Sequence, residues 1–149
     1  MTDATICSVD DGGGLVVDSQ VRVVIVDDQP TFSRAAAAVV SSLPGFVVVG
    51  QTETEDGSVA LVDTLGRVGM VLMDINLEQG DGLTATRRIK RDHPDVLVVL
   101  MSTYPRSDLP ADARSCGAAA YLHKEHLSPD VVERLWEQGG DPCWLAVTG

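Results

Sequence analysis

Five short apolar runs, separated by stretches with helical spacing, constrain the fold of this 149-residue chain more than any other feature. The first run, Val21–Val26, is rich in β-branched residues, which is typical of a strand buried on both faces. The other strands are predicted at Phe46–Val49, Met70–Ile75, Val96–Met101 and Ala118–His123. Helices are predicted at Pro30–Leu43, Gly57–Leu65, Leu83–Asp92, a short segment from Pro110 to Cys116, and Pro129–Gln138. This alternation predicts an α/β fold, one doubly wound five-stranded parallel sheet with helices on both faces.

Charge and composition narrow the class of protein. Eleven Lys and Arg against 22 Asp and Glu give a net charge of −11, which is wrong for a dedicated nucleic-acid binder because phosphate neutralisation needs a basic surface. No apolar stretch approaches the roughly 18 residues of a membrane span, and the start, Met1 to Ala4, lacks the basic residues of a secretory signal. Three scattered cysteines suit a reducing compartment. We therefore expect a cytoplasmic protein whose sequence here binds neither nucleic acid nor membrane.

The two ends of the chain differ in composition from its middle. Residues 1–20 include Asp10-Asp11 followed by three glycines, and they are predicted to form a flexible leader. The glycine run precedes a strand instead of joining a strand to a helix, so it is not a phosphate-binding loop. Residues 139–149 look like a linker. One domain is therefore predicted at residues 21–138.

Carboxylates follow two of the predicted strands. Asp27 and Asp28 come directly after the first strand, and Asp74 ends the apolar part of the third. Because the carboxyl ends of parallel strands meet at one edge of the sheet, these three side chains predict a site for a hard divalent cation. Ser102 follows the fourth strand and Lys124 the fifth, so both are expected at the same edge.

Each of these residues also has an ordinary explanation. Asp27 and Asp28 could merely cap the following helix, Lys124 could be a solvated surface lysine, and Ser102 a strand-end hydroxyl. Their occurrence together favours a functional site, because clusters of interacting charges concentrate at such sites.

The chain resembles the receiver domain of bacterial two-component response regulators. The resemblance is carried, in this order, by the acid pair, Asp74, Ser102 and the sequence Tyr121-Leu122-His123-Lys124. The resemblance covers about residues 21–138 and implies the flavodoxin-like (βα)5 receiver fold. Thr103-Tyr104 and Lys124-Glu125 are most similar to the NarL/FixJ-type branch, in which a LuxR-type helix-turn-helix domain usually follows and binds DNA. The present sequence does not include such a domain. We therefore expect either that the sequence is part of a longer protein or that it is a receiver that stands alone.

The resemblance implies that Asp74 accepts a phosphoryl group from a sensor histidine kinase and forms an acyl phosphate. It also implies that Mg²⁺ is bound by the carboxylates of Asp28 and Asp74, by the backbone carbonyl of Asn76, and by Asp27 largely through water. A partly aqueous oxygen shell is what Mg²⁺ prefers.

The remaining landmarks imply phosphoryl binding and a conformational switch. Lys124 supplies a positive charge to the phosphoryl oxygens, Ser102 a hydroxyl donor, and the backbone near Thr103 further N–H groups. In the family, the aromatic residue that corresponds to Tyr121 turns inward when the hydroxyl residue moves toward the phosphoryl group. The implied output is a population shift that favours a homodimer and, in a longer protein, regulates transcription.

The chain departs from the family's pattern near the site. Glu78 stands where a proline is common, which adds negative charge to the loop. Tyr104 lies at a position that borders the path of the hydrolytic water, and we expect it, with Asn76, to slow loss of the phosphate.

Two other functions compete with this interpretation. One is a pseudo-receiver that is never phosphorylated and acts only as a protein-interaction module, for which Glu78 is the best support. The other is an enzyme of the aspartyl-phosphate hydrolase type. That class has two acids separated by one residue after the first strand, whereas Asp27 and Asp28 are adjacent. We therefore predict no enzyme beyond the chain's own phosphorylation and dephosphorylation.

Three minor features have two interpretations each. His123 and His126 have the spacing of metal ligands but no further His or Cys nearby, so a structural role is favoured over a zinc site. The basic cluster of residues 87–91 on the third helix is predicted to be a solvated face and not a DNA-binding patch. Trp136 and Trp144-Leu145 are either core residues or a surface for a partner, and we favour the partner surface.

Overall fold

The computed structural model describes residues 20–148, with side chains described as far as Leu145. The strands are β1 (Val21–Val26), β2 (Phe46–Thr52), β3 (Met70–Asp74), β4 (Leu97–Ser102) and β5 (Ala120–His123). The helices are α1 (Pro30–Ser41), α2 (Glu55–Leu65), α3 (Gly82–Asp92), α4 (Pro129–Gln138) and α5 (Pro142–Thr148). All strand pairs are parallel, in the order β2-β1-β3-β4-β5. The predicted doubly wound sheet is confirmed; the predicted leader lies outside the described residues apart from Gln20.

Side chains of the central strands alternate between two hydrophobic layers. Val23 and Ile25 of β1 pack in the layer under α1 and α4. Val24 and Val26 point to the opposite layer, under α2 and α3. Successive side chains of a strand face opposite sides, so a strand between two helical layers needs apolar residues at every position. The run Val23–Val26, fully buried, satisfies this requirement, whereas Arg22 near the start of β1 is only partly buried.

Side-chain caps mark the starts of α2 and α4. Ser128 accepts a hydrogen bond from the Val131 amide, and Pro129 occupies the first helical position, as predicted for α4. Thr54 accepts a hydrogen bond from the Gly57 amide, so α2 begins at Glu55, before its predicted start. Capping by a short polar side chain satisfies an amide that the first turn leaves free.

The segment between β4 and β5 differs from the prediction. Instead of one helix from Pro110 to Cys116, it contains two 3-10 segments, Arg106–Asp108 and Ala111–Ser115. Proline lacks an amide hydrogen and disfavours helix in the residue before it. Pro105 and Pro110 each precede one segment, so the space between them accommodates only a single tight turn.

The C-terminal residues, expected to resemble a linker, contain the short helix α5. Gly139 ends α4 with a left-handed φ of 70°, and Gly140 has a φ of 126°. A side chain is strained at such angles, so the two glycines allow the chain to reverse toward β5. Trp144 of α5 is fully buried, and the predicted partner surface is therefore wrong for this residue. Trp136 remains 37% exposed.

Within residues 20–148, none of the helices is both long and apolar enough to cross a membrane.

Candidate functional site

Three carboxylates meet at the carboxyl ends of β1 and β3, the neighbouring strands at which the strand order of the sheet reverses. From β1 the chain continues to β2 at one edge of the sheet, and from β3 it continues to β4 on the other side. Binding crevices in such folds usually lie between two strands that are related in this way. One oxygen each of Asp27, Asp28 and Asp74 lies within 4.8 Å of the others. Asp27 and Asp74 are almost completely buried, at 1% and 4% exposure. The three predicted acids are thus brought together at one strand edge.

Lys124 lies between two of these acids. Its Nζ is 2.7 Å from Oδ2 of Asp27 and 3.4 Å from Oδ2 of Asp74. The same atom donates to Oε1 of Gln29 at 3.3 Å and lies 4.6 Å from the centre of the Phe32 ring. The ammonium therefore sits in a partly apolar pocket with its charge directed at the acids.

The pKa of the Asp74 carboxyl is raised from its ordinary value of 3.8 to about 6. Burial is the main cause, and the neighbouring negative charge of Asp27 adds to it. Lys124 and the backbone amide of Asn76 act in the opposite direction without offsetting the rise. The pocket thus holds three carboxylates beside one ammonium, and clustered carboxylate oxygens with surplus negative charge fit a hard divalent cation.

Backbone amides position each carboxylate. The Gln29 amide donates to Oδ1 of Asp27 at 2.8 Å, and the Asn76 amide to Oδ1 of Asp74 at 3.3 Å. The amide of Glu78 donates to Oδ2 of Asp28 at 2.6 Å. A proline at this position could not make the last bond, because it has no amide hydrogen. The departure at Glu78 therefore gives Asp28 a partner from the β3–α3 loop.

Ser102 and Tyr121 form a buried hydroxyl pair beside the pocket. Their oxygens are 2.8 Å apart, and Ser102 Oγ also accepts from the Tyr104 amide at 3.0 Å. The Tyr121 hydroxyl donates its hydrogen to the Tyr104 carbonyl. Thr103 is exposed, and its carbonyl oxygen is 2.9 Å from His123 Nε2. The Ser102 hydroxyl is thus engaged with Tyr121 in this state.

Sequence reasoning missed three residues that shape the pocket. Gln29 and Phe32 contact the Lys124 ammonium, and neither has a strand-end position that would have indicated it. Gly82 packs against Asp74, and a Cβ there would lie 2.1 Å from the Asp74 carbonyl oxygen. The run Gly80-Asp81-Gly82 after the strand was the available signal, since glycine often marks a close backbone approach.

The two histidines near β5 are engaged in other contacts. Their ring centres are 5.5 Å apart, and Nδ1 of His123 accepts from the Glu125 amide at 3.1 Å. In the part of the chain that the structure describes, the three aspartates form the only group of three potential metal-binding side chains of the His, Cys, Asp and Glu types.

The basic cluster on α3 makes contacts within the chain. Arg88 lies 2.8 Å from a carboxylate oxygen of both Glu55 and Asp56. Arg87 pairs with Asp112 at 3.4 Å, and Lys90 donates to backbone carbonyls. These side chains link α3 to neighbouring elements.

Comparison with known proteins gives a consistent picture. The family model of the response regulator receiver domain matches residues 23–135. The chain is 30% identical over 127 residues to the transcriptional regulatory protein DegU of Brevibacillus brevis, covering 84% of this chain and 53% of that protein. It is 34% identical over 115 residues to the response regulator GacA of Pseudomonas protegens, covering 77% and 54%. The chain thus spans about half the length of these curated relatives.

Solved structures show the same fold. The signal receiver domain of NarL from Mycobacterium tuberculosis matches with a TM-score of 0.72 at 22% identity, covering 80% of this chain and 96% of that one. A LuxR-family two-component response regulator from Aurantimonas matches with a TM-score of 0.71 at 23% identity, covering 80% and 84%. These neighbours share the fold that was predicted from the sequence.

Proposed function

This chain belongs to the response regulator receiver domain family, and from that premise we propose that it is a phosphorylation-controlled switch with Asp74 as the phosphoacceptor. The observation that carries the proposal is the burial of Asp74 in one pocket with two further carboxylates and the Lys124 ammonium. The proposed receiver unit spans residues 21–138. In this role the chain is not an enzyme in the usual sense, because it accepts the phosphoryl group on its own Asp74 side chain.

The proposed donor is a phosphohistidine of a sensor kinase. An Oδ atom of Asp74 attacks the phosphorus, an O–P bond forms, and the N–P bond breaks with its electron pair leaving on the imidazole. Charge on the phosphoryl oxygens opposes this attack unless cations neutralise it. Lys124 Nζ, 3.4 Å from Asp74, supplies one positive charge, and Ser102 supplies a hydroxyl donor.

A magnesium ion fits the oxygen ligands of the pocket. The residues that would bind it are Asp28, Asp74 and the backbone carbonyl of Asn76, with Asp27 acting largely through water. When bound, the ion neutralises charge on the phosphoryl group during transfer. The clustering of one oxygen from each of Asp27, Asp28 and Asp74 within 4.8 Å supports this assignment, because Lys124 supplies only one positive charge to these acids.

The Ser102–Tyr121 pair is the proposed switch. Tyr121 is turned inward, at 4% exposure, and its hydroxyl oxygen lies 2.8 Å from Ser102 Oγ. Movement of Ser102 toward a phosphoryl group on Asp74 would favour this inward arrangement of Tyr121 over an outward one. We propose that this arrangement promotes a homodimer and that a DNA-binding domain outside the present sequence regulates transcription. Half-exposed Tyr104, with Asn76, would restrict access of water to the phosphate.

The test is magnesium-dependent phosphate incorporation from acetyl phosphate, measured by intact mass. We expect one phosphate on the parent chain and on the control variant Asp95→Asn, which changes an exposed aspartate, but none on Asp74→Asn. Sedimentation of the phosphorylated chain should show a dimer. Absence of phosphate from all three proteins would contradict the proposal and favour the protein-interaction module. Phosphate on Asp74→Asn would place the acceptor elsewhere.

A further inference from the structure

We propose that Glu55 is a positioning residue for the proposed magnesium site and that it acts through the β3–α3 loop, residues 75–81. Glu55, at the start of α2, is not one of the residues that would bind the ion. It fixes the loop that carries the Asn76 carbonyl oxygen, a proposed ligand, and the Glu78 amide, which donates to Asp28 at 2.6 Å. The inference rests on the proposed function, because the ion is part of that proposal.

The Glu55 carboxylate binds the end of the loop. Its Oε1 accepts a hydrogen bond from the Asp81 amide at 3.0 Å, and its Oε2 lies 2.8 Å from Nη1 of Arg88 on α3. The Glu55 side chain is 17% exposed and that of Arg88 35%, so the pair is partly shielded from water. Hydrogen bonds to a carboxylate are stronger than those between neutral groups. One side chain of α2 thus joins the loop to α3.

The backbone around Glu55 contacts the loop as well. The Glu55 amide donates to the Gln79 carbonyl at 3.1 Å, and Thr54 pairs with Gln79 in an isolated parallel bridge. Gly80 has a φ of 100°, and a Cβ at this position would lie 2.3 Å from the Glu55 Cβ. Glycine alone accommodates both the angle and the close approach. The loop therefore lies directly against Glu55.

Asp81 connects Glu55 to the proposed metal ligand. Asp81 pairs with Asn76 in an isolated antiparallel bridge, and beside this bridge the Gly82 amide donates to the Ile75 carbonyl at 2.9 Å. Backbone contacts therefore close the base of the loop, with Asn76 on one side and Asp81 on the other. A shift of the Asp81 backbone moves Asn76 with it, and the Asn76 carbonyl is the oxygen that would bind the ion.

The negative charge of Glu55 is a competing explanation that the test must separate from its position. Any nearby negative charge attracts a cation, so loss of Glu55 could weaken binding without any movement of the loop. Asp56 carries the same charge, lies 2.8 Å from the same Arg88 and has a side chain that is 90% exposed. Asp56→Asn removes this charge and leaves the bond between Glu55 and Asp81 in place. It is therefore the matched control.

The first measurement is the affinity of the full chain for Mg²⁺, obtained by NMR titration of backbone amides at neutral pH without a phosphate donor. We expect Glu55→Ala to bind Mg²⁺ about tenfold more weakly than Asp56→Asn, at the lower end of the effects of residues that orient metal ligands. Glu55→Gln should lie between the two, because its amide oxygen can still accept from Asp81. Loss of charge alone would make Glu55→Gln and Glu55→Ala equal.

Amide hydrogen exchange in EDTA gives a measurement that does not involve the ion. The Asp81 amide should exchange several-fold faster in Glu55→Ala than in Asp56→Asn, because its acceptor is removed, and the Glu78 amide should accelerate with it. The Leu72 amide on β3 is the reference and should exchange equally in both variants. If Glu55→Ala does not fold, Glu55→Gln takes its place in both measurements.

Phosphate incorporation from acetyl phosphate separates positioning from direct participation. At limiting Mg²⁺ the rate should be about tenfold lower for Glu55→Ala than for Asp56→Asn, in line with the difference in affinity. At saturating Mg²⁺ the two rates should converge, because Glu55 contacts neither the ion nor the phosphoryl group. A rate that stays reduced at saturating Mg²⁺ would overturn a purely positioning role.

The outcomes distinguish this inference from the proposed function. Absence of saturable Mg²⁺ binding by the parent would overturn the magnesium site of the proposed function, and the role of Glu55 with it. Binding by the parent with equal affinities for Glu55→Ala and Asp56→Asn would overturn the role of Glu55 alone. Unchanged exchange at Asp81 and Glu78 would overturn the route through the loop. Weaker binding by Glu55→Ala together with faster exchange at Asp81 supports the inference.

Discussion

The acidic pocket and the segment of residues 141–145, called the C-terminal strap here, are built in different ways. In the pocket, Asp27, Asp74 and Lys124 directly follow or end strands, and their side chains are at most 9% exposed. The strap instead packs against the edge strand β5 and against 3-10 segments, through one tryptophan and two partly exposed arginines. The pocket is therefore fixed by the sheet itself, whereas the strap depends on a few contacts at its border.

This difference suggests a division of roles. Phosphoryl transfer requires groups that are already positioned before the reaction, because reorganisation adds to the barrier. An output signal requires an element that has two arrangements of similar free energy. The buried, strand-end groups of the pocket meet the first requirement, and whether the sheet edge meets the second is open to experiment. Three predictions test this comparison, from the largest expected effect to the smallest.

Truncation of core side chains should distinguish a fixed from a detachable element. Leu72 on β3 is 1% exposed, and Leu72→Ala should lower the free energy of unfolding by about 2–5 kcal/mol. Trp144→Ala should cost less than about 2 kcal/mol, below the usual 3–5 for a buried tryptophan, because the strap can detach and leave no cavity. Urea denaturation of both variants measures the two values.

Trp136→Ala provides the comparison for loss of an indole. Trp136 is 37% exposed and packs near Gly69, so a small loss is expected there as well. A loss of 3–5 kcal/mol for Trp144→Ala would show that the strap belongs to the cooperative core and would remove the contrast.

The raised pKa of Asp74 predicts that ionisation of this carboxyl lowers the free energy of unfolding as pH rises. Its folded pKa of about 6 exceeds the ordinary 3.8, so the folded state binds the proton more tightly. The stabilising contribution of this proton is complete below about pH 4 and is lost as pH rises through 6. Asp74→Asn cannot ionise, and at pH 7 in EDTA it should be more stable than the parent by up to about 3 kcal/mol.

This gain should disappear at pH 4, where the parent's carboxyl is protonated. Added Mg²⁺ should also reduce it at pH 7, by binding the ionised parent. Thermal or urea unfolding at pH 4, 5, 6 and 7 gives the comparison. A gain that is the same at every pH would show that Asp74 carries no ionisation cost in the fold.

The smallest effect is expected at the arginine border of the strap. Arg106→Gln removes a partly exposed ion pair with Asp141 and should change the free energy of unfolding by less than about 1 kcal/mol. Acrylamide quenching of Trp144 in the Trp136→Phe background should nevertheless increase. Arg87→Gln removes an exposed pair with Asp112 and should change neither quantity by more than the same small amount. Equal quenching in the two variants would exclude a role of Arg106 in the strap.

Sequence patterns were sufficient for the sheet and for the main residues of the pocket. Apolar runs such as Val21–Val26 occur where both faces of a strand are covered, and strand ends in a parallel sheet share one edge. The positions of Asp27, Asp28 and Asp74 follow from these two rules. Gln29 and Phe32 were missed because their contacts with Lys124 join residues far apart in sequence, and no local pattern encodes such a contact.

The segment between β4 and β5 shows the limit of local reasoning. Ala111–Ser115 has an ordinary helical composition, and only the two prolines indicated that a long helix would not form. The role of Trp144 could not be decided from its neighbours, because a tryptophan serves equally well as a core residue or as an exposed anchor. The structure resolved this choice in favour of the core.

The sequence by itself determined the α/β class, the five strands and the acids at their ends, because residue periodicity and strand-end position are local properties. Tertiary structure alone decided that Ser102 bonds to Tyr121 and that Trp144 returns to pack on the same tyrosine. The first contact depends on the pairing of β4 with β5, and the second on the direction in which the chain leaves α4 after Gly139 and Gly140. Both contacts join segments that are distant in sequence, so tertiary packing determines them and no local pattern does.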